Sequence, residues 1–192
     1  MSVRTSLTHP LRINTVTMPG GGRLGLTFCP GKKQKMAMTG AWDRDLQLDL
    51  QAVKAWGAAG VLTLLEPQEM VDLGVPALGA EIQKQGMLWH HIYLPNDAVP
   101  DAAYMNKWNA GRAAMHRQLD AGQGLLIHCM GGIGRTAQMA AMLLMERGIS
   151  AGQAMADIAA VREGVFCVPE QVAFLHQYKP AALLLPKNSP SP

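Results

Sequence analysis

Apolar residues in this chain fall into short unbroken runs that alternate with longer stretches in which they recur every three or four positions. The short runs, bounded by turn-forming residues, predict buried strands at 25–29, 61–65, 88–94 and 124–127. The longer stretches predict helices. At 45–58, Leu46, Leu50, Val53 and Trp56 mark one inward face, and further helices are expected at 77–85 and 102–119. The stretch 137–145 is built of Ala, Met and Leu with one Gln, mostly strong helix formers. Ser150 and Gln153 predict a capping box at the start of a helix over 150–162, and Pro169 opens a last helix in its first turn. Strands alternating with helices, without internal repeats, predict a single α/β domain with a mainly parallel central sheet flanked by helices on both faces. Such sheets place their ligands at the carboxyl ends of the strands.

One strand-to-helix junction carries chemistry. His128-Cys129-Met130-Gly131-Gly132-Ile133-Gly134-Arg135-Thr136 joins the run at 124–127 to the helix at 137–145. Backbone N–H groups at a helix start have no intrahelical partner and sit at the positive end of the helix dipole, so they cradle a dianionic phosphate. Gly131, Gly132 and Gly134 allow positive φ and close approach of the backbone to a ligand. In such surroundings a cysteine pKa falls from about 8.5 to roughly 3.5–7.5, which makes the Cys129 thiolate available as a nucleophile. Arg135 offers a planar fork able to grip two phosphate oxygens. A plain structural turn around a buried cysteine would leave a charged arginine and three glycines without a purpose.

His-Cys, five residues, then Arg-Thr resembles the signature of the cysteine-dependent protein tyrosine phosphatases, and Gly-Gly-x-Gly-Arg resembles their dual-specificity branch. The likeness extends from Gly25-Leu26 and Pro30-Gly31 through His90-His91, the stretch from Asp97 to Pro100-Asp101 and the loop itself to the stretch from Gln171 to Tyr178. In that order it resembles the cyclin-dependent kinase-associated phosphatase group over roughly 24–178. The resemblance implies a catalytic domain over 24–180, between an N-terminal extension at 1–23 and a tail at 181–192.

Phosphate transfer to sulfur needs an acid for the departing oxygen, held on a mobile loop. Residues 95–101 form a polar, proline-bounded stretch after an expected strand. Asp97, with Pro100 three residues on, has the position of the family's general acid, although Pro-Asn-Asp stands where Trp-Pro-Asp is usual. Asp101 is a second candidate and reads equally as the N-cap of the following helix. By the same resemblance Thr136 stabilises the leaving thiolate, His128 tunes and orients the nucleophile, and Gln171 positions the hydrolytic water. Cys167 stands where a first glutamine often occurs. A carboxylate near Glu66 and Glu69 pairs with the loop arginine in the family; each of the two also reads as a solvated loop charge.

At 192 residues and 48% hydrophobic content the chain can bury one sizeable core. A net charge of +3, with no basic stripe interleaved with aromatics, does not suggest a nucleic-acid partner. Lys32, Lys33 and Lys35 read as a solvated loop, or as an attraction for an acidic partner beside the site. Three scattered cysteines form no disulfide framework, and a thiolate nucleophile needs a reducing compartment. With no secretory core and no membrane-length apolar run, a cytoplasmic protein is expected. His90, His91, His128 and Cys129 do not read as a metal site, because adjacent strand residues point to opposite faces. Met139, Met142 and Met145 read as core packing. No cofactor is called for.

The expected activity is hydrolysis of phosphomonoesters on proteins, at phosphotyrosine and further at phosphoserine or phosphothreonine, through a phosphocysteine. The rival substrates are phosphoinositides or other small phosphate esters. None of the five residues between Cys129 and Arg135 is basic, which disfavours highly phosphorylated inositols. A sulfurtransferase would need neither Asp97 nor the Arg-Thr ending. A silent phosphoprotein-binding module would keep Arg135 but lose the nucleophile or the acid, and both are present.

Overall fold

The computed structural model describes residues 3–37 and 39–181. Five strands form one sheet in the order β1 (Asn14–Thr17), β2 (Arg23–Thr27), β7 (Gly124–His128), β5 (Ala58–Thr63), β6 (Leu88–His91). All pairs are parallel except β1 with β2. A separate hairpin joins β3 (Lys33–Gln34) to β4 (Trp42–Asp43). The sheet parts two cores because successive side chains of a strand point to opposite faces. Leu125 and Ile127 pack with α4 (Ala102–Asp120), α5 (Gly134–Met145), α6 (Ala151–Val161) and α7 (Pro169–Gln177). Leu126 faces α1 (Leu46–Trp56), α2 (Pro67–Asp72) and α3 (Leu78–Lys84). The expected α/β architecture is the observed one.

Local chemistry sets the helix boundaries. Asp45 caps α1, accepting from the Leu48 N–H at 2.9 Å, and Gly57 ends it at φ 96°. Pro169 sits in the first turn of α7. Ser150 caps α6 by accepting from the Gln153 N–H, but the Gln153 side chain turns forward to Asp157, so only half of the expected capping box forms.

Several boundaries differ from expectation. The strand expected at 25–29 starts at Arg23 and ends at Thr27, because its register follows β7 from Gly124 to His128. The strand expected to reach 94 ends its regular pairing at His91, although the Ile92 and Leu94 N–H groups still donate to the Thr63 and Leu64 carbonyls. The stretch assigned to an N-terminal extension, 1–23, supplies β1 to the sheet edge, and Arg4 bridges to Trp42. The expected tail lies outside the described residues from 182 onward. Among the described residues no helix is long and apolar enough to cross a membrane.

A polar knot at the end of α5 ties together the core that packs α4 to α7. Glu146 accepts from Trp108, Tyr178 and His116 at 2.6–2.7 Å and pairs with Arg112, so α4, α5 and the end of α7 converge on one buried carboxylate. Burial works against its charge, but those donors hold the carboxyl below the usual range.

Candidate active site

The segment 128–134 leaves β7 and turns at once into α5, so the loop's N–H groups lie at the start of a buried helix. Gly132 adopts φ 69°, and a Cβ there would meet the Thr27 carbonyl at 2.3 Å, so a glycine is required. Its N–H donates to Cys129 Sγ at 3.2 Å. Cys129 is 4% exposed. Burial alone would push its thiol up, but the Arg135 guanidinium, the Thr136 hydroxyl and the Thr136 and Ile133 N–H groups outweigh it, and the net shift is downward. Cys29, also buried, has its thiol pushed up, first of all by burial. Of the two, only Cys129 is set up as a nucleophile.

Arg135 is held from behind. Nη1 and Nη2 donate to the two carboxylate oxygens of Glu69 at 2.7 and 2.8 Å, and Nη1 also donates to the Leu94 carbonyl at 2.8 Å. Nε is buried without a protein partner. A guanidinium has five N–H donors. These contacts leave the Nε–H and one Nη2–H, which lie on one edge and match two oxygens of a phosphoryl group. Glu69 is therefore the carboxylate that pairs with the loop arginine. Burial disfavours its charge, yet Arg135 and the Glu66 N–H hold its carboxyl below the usual range. Glu66 does not join the site: it is the N-cap of α2, ahead of Pro67.

His128 is buried, and both of its ring nitrogens are engaged by protein groups. Its Nδ1 can only donate to the Cys129 carbonyl, at 3.3 Å, so in the neutral ring Nε2 accepts from the Thr63 hydroxyl at 2.8 Å. Thr63 in turn accepts from Trp89 Nε1 at 2.9 Å. Burial, with Arg135 and His91 adding to it, pushes the His128 pKa down to about 4. Above about pH 6.5 both folded and unfolded states hold this ring neutral and its stabilisation is complete. As pH falls from 6.5 to 4 the unfolded state takes up the proton first, and roughly 3 kcal/mol is lost. Urea midpoints should fall more steeply over that window for the native chain than for His128→Asn; equal slopes would contradict a ring held neutral in the folded state.

The 95–100 stretch is exposed at Asp97 but anchored on both sides. The Leu94 carbonyl accepts from Arg135, and the Ala98 carbonyl accepts from Gln171 Nε2 at 3.2 Å. The Gln171 amide lies against Gly134 of the loop. Asp97 itself has φ 57°, a left-handed conformation that aspartate tolerates. Asp101 Oδ1 accepts from the Tyr104 N–H at 2.7 Å and caps α4. Cys129, Arg135, Thr136, His128, Glu69 and Gln171 thus converge around Met130, Gly131, Gly132, Ile133 and Gly134, with the Asp97 loop tied to the same cluster. Glu66 and Asp101 serve helix ends. His90 and His91 go to separate acceptors, Gln118 and the Leu65 carbonyl.

Two cations flank the loop: Arg162, which no sequence signal announces, and Lys32, from the lysine cluster read as either a solvated loop or a feature beside the site. Arg162, at the end of α6, donates to the carbonyls of Gly131 and Gly132 and to Asn14 Oδ1, turning those carbonyls outward so that the loop N–H groups face in. Lys32 is 4% exposed, with Nζ over the rings of Phe28 and Trp42 and 3.5 Å from the Met130 carbonyl. It belongs to the site rather than to a solvated loop. Lys33 pairs with Asp43 on the surface.

A family model described as Cyclin-dependent kinase inhibitor 3 matches residues 9–155. The chain is 31% identical over 170 residues to cyclin-dependent kinase inhibitor 3 of Mus musculus, covering 86% of this chain and 77% of that protein. Its identity to the Homo sapiens protein of the same name is 30% over 173 residues, covering 88% and 78%. The crystal structure of a kinase associated phosphatase whose catalytic-site cysteine is replaced by serine superposes with a TM-score of 0.76 at 26% identity, covering 88% of this chain and 93% of that one.

Proposed function

Since the chain belongs to the cyclin-dependent kinase inhibitor 3 family and is a phosphatase of the protein-tyrosine and dual-specificity kind, we propose that it hydrolyses phosphomonoesters on proteins through a phosphocysteine at Cys129. The observation that carries this reading is the buried, pKa-lowered thiol at the mouth of a helix, facing the free edge of Arg135. The thiolate attacks phosphorus as the ester P–O bond breaks, and Asp97 gives its proton to the departing oxygen. Arg135 and the loop N–H groups hold the three equatorial oxygens, whose charge they are placed to meet. Water then attacks phosphorus, Asp97 takes its proton, and the S–P electron pair returns to sulfur, steadied by the Thr136 hydroxyl. Gln171, between the Asp97 loop and Gly134, is placed to orient that water. The products are the free hydroxyl side chain and inorganic phosphate. A thiolate nucleophile works in a reducing compartment, which favours the cytoplasm.

Protein esters are favoured over inositides because Lys32 and Arg162 are engaged with loop carbonyls and 130–134 holds no basic residue. On a panel of phosphopeptides and phosphoinositides, kcat/KM should be higher for the peptides by about tenfold or more. The reverse order would overturn the substrate assignment.

The acid is tested by leaving group, since protonation matters most when the departing oxygen is a poor one. Asp97→Ala should slow phosphopeptide hydrolysis by about 10²–10⁴-fold, far more than hydrolysis of an activated aryl phosphate, and should flatten the basic limb of the pH profile. Asp101→Ala should cost about 0.5–2 kcal/mol of stability through its lost cap. If Asp101→Ala carries the leaving-group signature instead, the acid is misassigned.

A further inference from the structure

A groove of roughly 500 Å³ opens beside the catalytic loop, between it and the segment 28–42. Its walls are largely apolar: Phe28, Met36 and Trp42 face Met130 and Ile133 of the loop itself. Met36 is 92% exposed and Ile133 40%. Two large apolar side chains therefore meet water beside a site built to hold a dianion, and Gly131 belongs to both cradle and groove.

The two cations on this groove are already engaged. Lys32 Nζ lies 5.1 Å from the Phe28 ring centroid and 4.8 Å from that of Trp42, and it reaches the Met130 carbonyl. Arg162 spends donors on Gly131, Gly132 and Asn14. A second phosphate entering here would have to pull them from these partners, whereas an apolar side chain would displace only water.

We propose that this groove is a substrate subsite that takes an apolar side chain lying within two residues of the phosphorylated one. The proposal rests on the reading of the chain as a protein phosphatase. The occupant follows from continuity: a peptide whose phosphate sits over 130–135 must pass Ile133, and an extended chain advances about 3.3–3.6 Å per residue. A neighbour one or two positions along therefore stands over the 28–42 wall, and burying a Leu, Met or Phe there favours its substrate by about tenfold or more.

The test uses phosphopeptides that differ only at the two positions on either side of the phosphorylated residue, carrying Leu, Met or Phe in one set and Asp in the other, with a small aryl phosphate beside them. The native chain should prefer the apolar set by about tenfold or more in kcat/KM. Met36→Gln, which makes the wall polar without adding a charge that would repel the Asp set, should bring that preference to within about threefold of unity and leave aryl phosphate hydrolysis unchanged, which shows that the variant is folded and its chemistry intact. Equal rates for both sets, a preference for the acidic set, or a preference untouched by Met36→Gln would overturn the subsite. Loss of all turnover by the native chain, aryl phosphate included, would instead bring down the phosphatase reading and the subsite with it.

Discussion

Cys129→Ser should bind phosphopeptide with near-native affinity and turn it over at background rate. Affinity comes from the loop N–H groups and the free edge of Arg135, and a serine hydroxyl can take the place of Sγ as acceptor of the Gly132 N–H while leaving those donors where they are. Turnover comes from a thiolate, and the influences that lower the Cys129 thiol cannot bring a serine hydroxyl into its ionised form at neutral pH. The loss in kcat should be on the order of 10⁴ or more, by analogy with removal of a nucleophile from other covalent hydrolases. Calorimetric titration with intact phosphopeptide measures binding, and single-turnover assays measure the chemistry. A serine variant with native-like turnover would mean that the phosphate never passes through sulfur.

Arg135→Lys should lose about two orders of magnitude or more in kcat, some 2.7–4 kcal/mol of transition-state stabilisation, although charge is conserved. The donor count explains why. Three of the five N–H groups of Arg135 serve Glu69 and Leu94, which leaves two, side by side, to receive a phosphoryl group. A lysine has three donors about one nitrogen and cannot hold Glu69 through two parallel bonds while presenting two more to the ligand. The deficit should be larger in kcat than in KM, because the planar phosphoryl group of the transition state fits the fork better than the tetrahedral ground state does. Near-native kinetics would make Arg135 a structural partner of Glu69.

The reacting groups of the loop were legible in the sequence because they are neighbours in it: a strand, a glycine turn and a helix dictate both position and role. Glu69 was only half legible. Both glutamates read as loop charges, yet Glu66-Pro67-Gln68-Glu69 is a helix start, with Pro in the first turn and a third-position Glu reaching back to the cap N–H. That signal separates the residue aimed at Arg135 from the one that caps. Arg162 and Lys32 reach the loop from distant parts of the chain, and only tertiary packing brings them there. The edge strand β1 escaped notice because only Val16 of its four residues is buried.

The two halves of the site differ in how long they persist. Helix α5 is buried from Arg135 through Leu144, so its amides, and the loop clamped at its start, can exchange hydrogen with solvent only when the whole fold opens. The stretch around Asp97 is exposed and tied down at Leu94 and Ala98, so its amides can exchange through small local openings. Heating should therefore silence proton transfer well before it dismantles the anion cradle, leaving over a window of temperature a protein that still captures phosphate but releases no product.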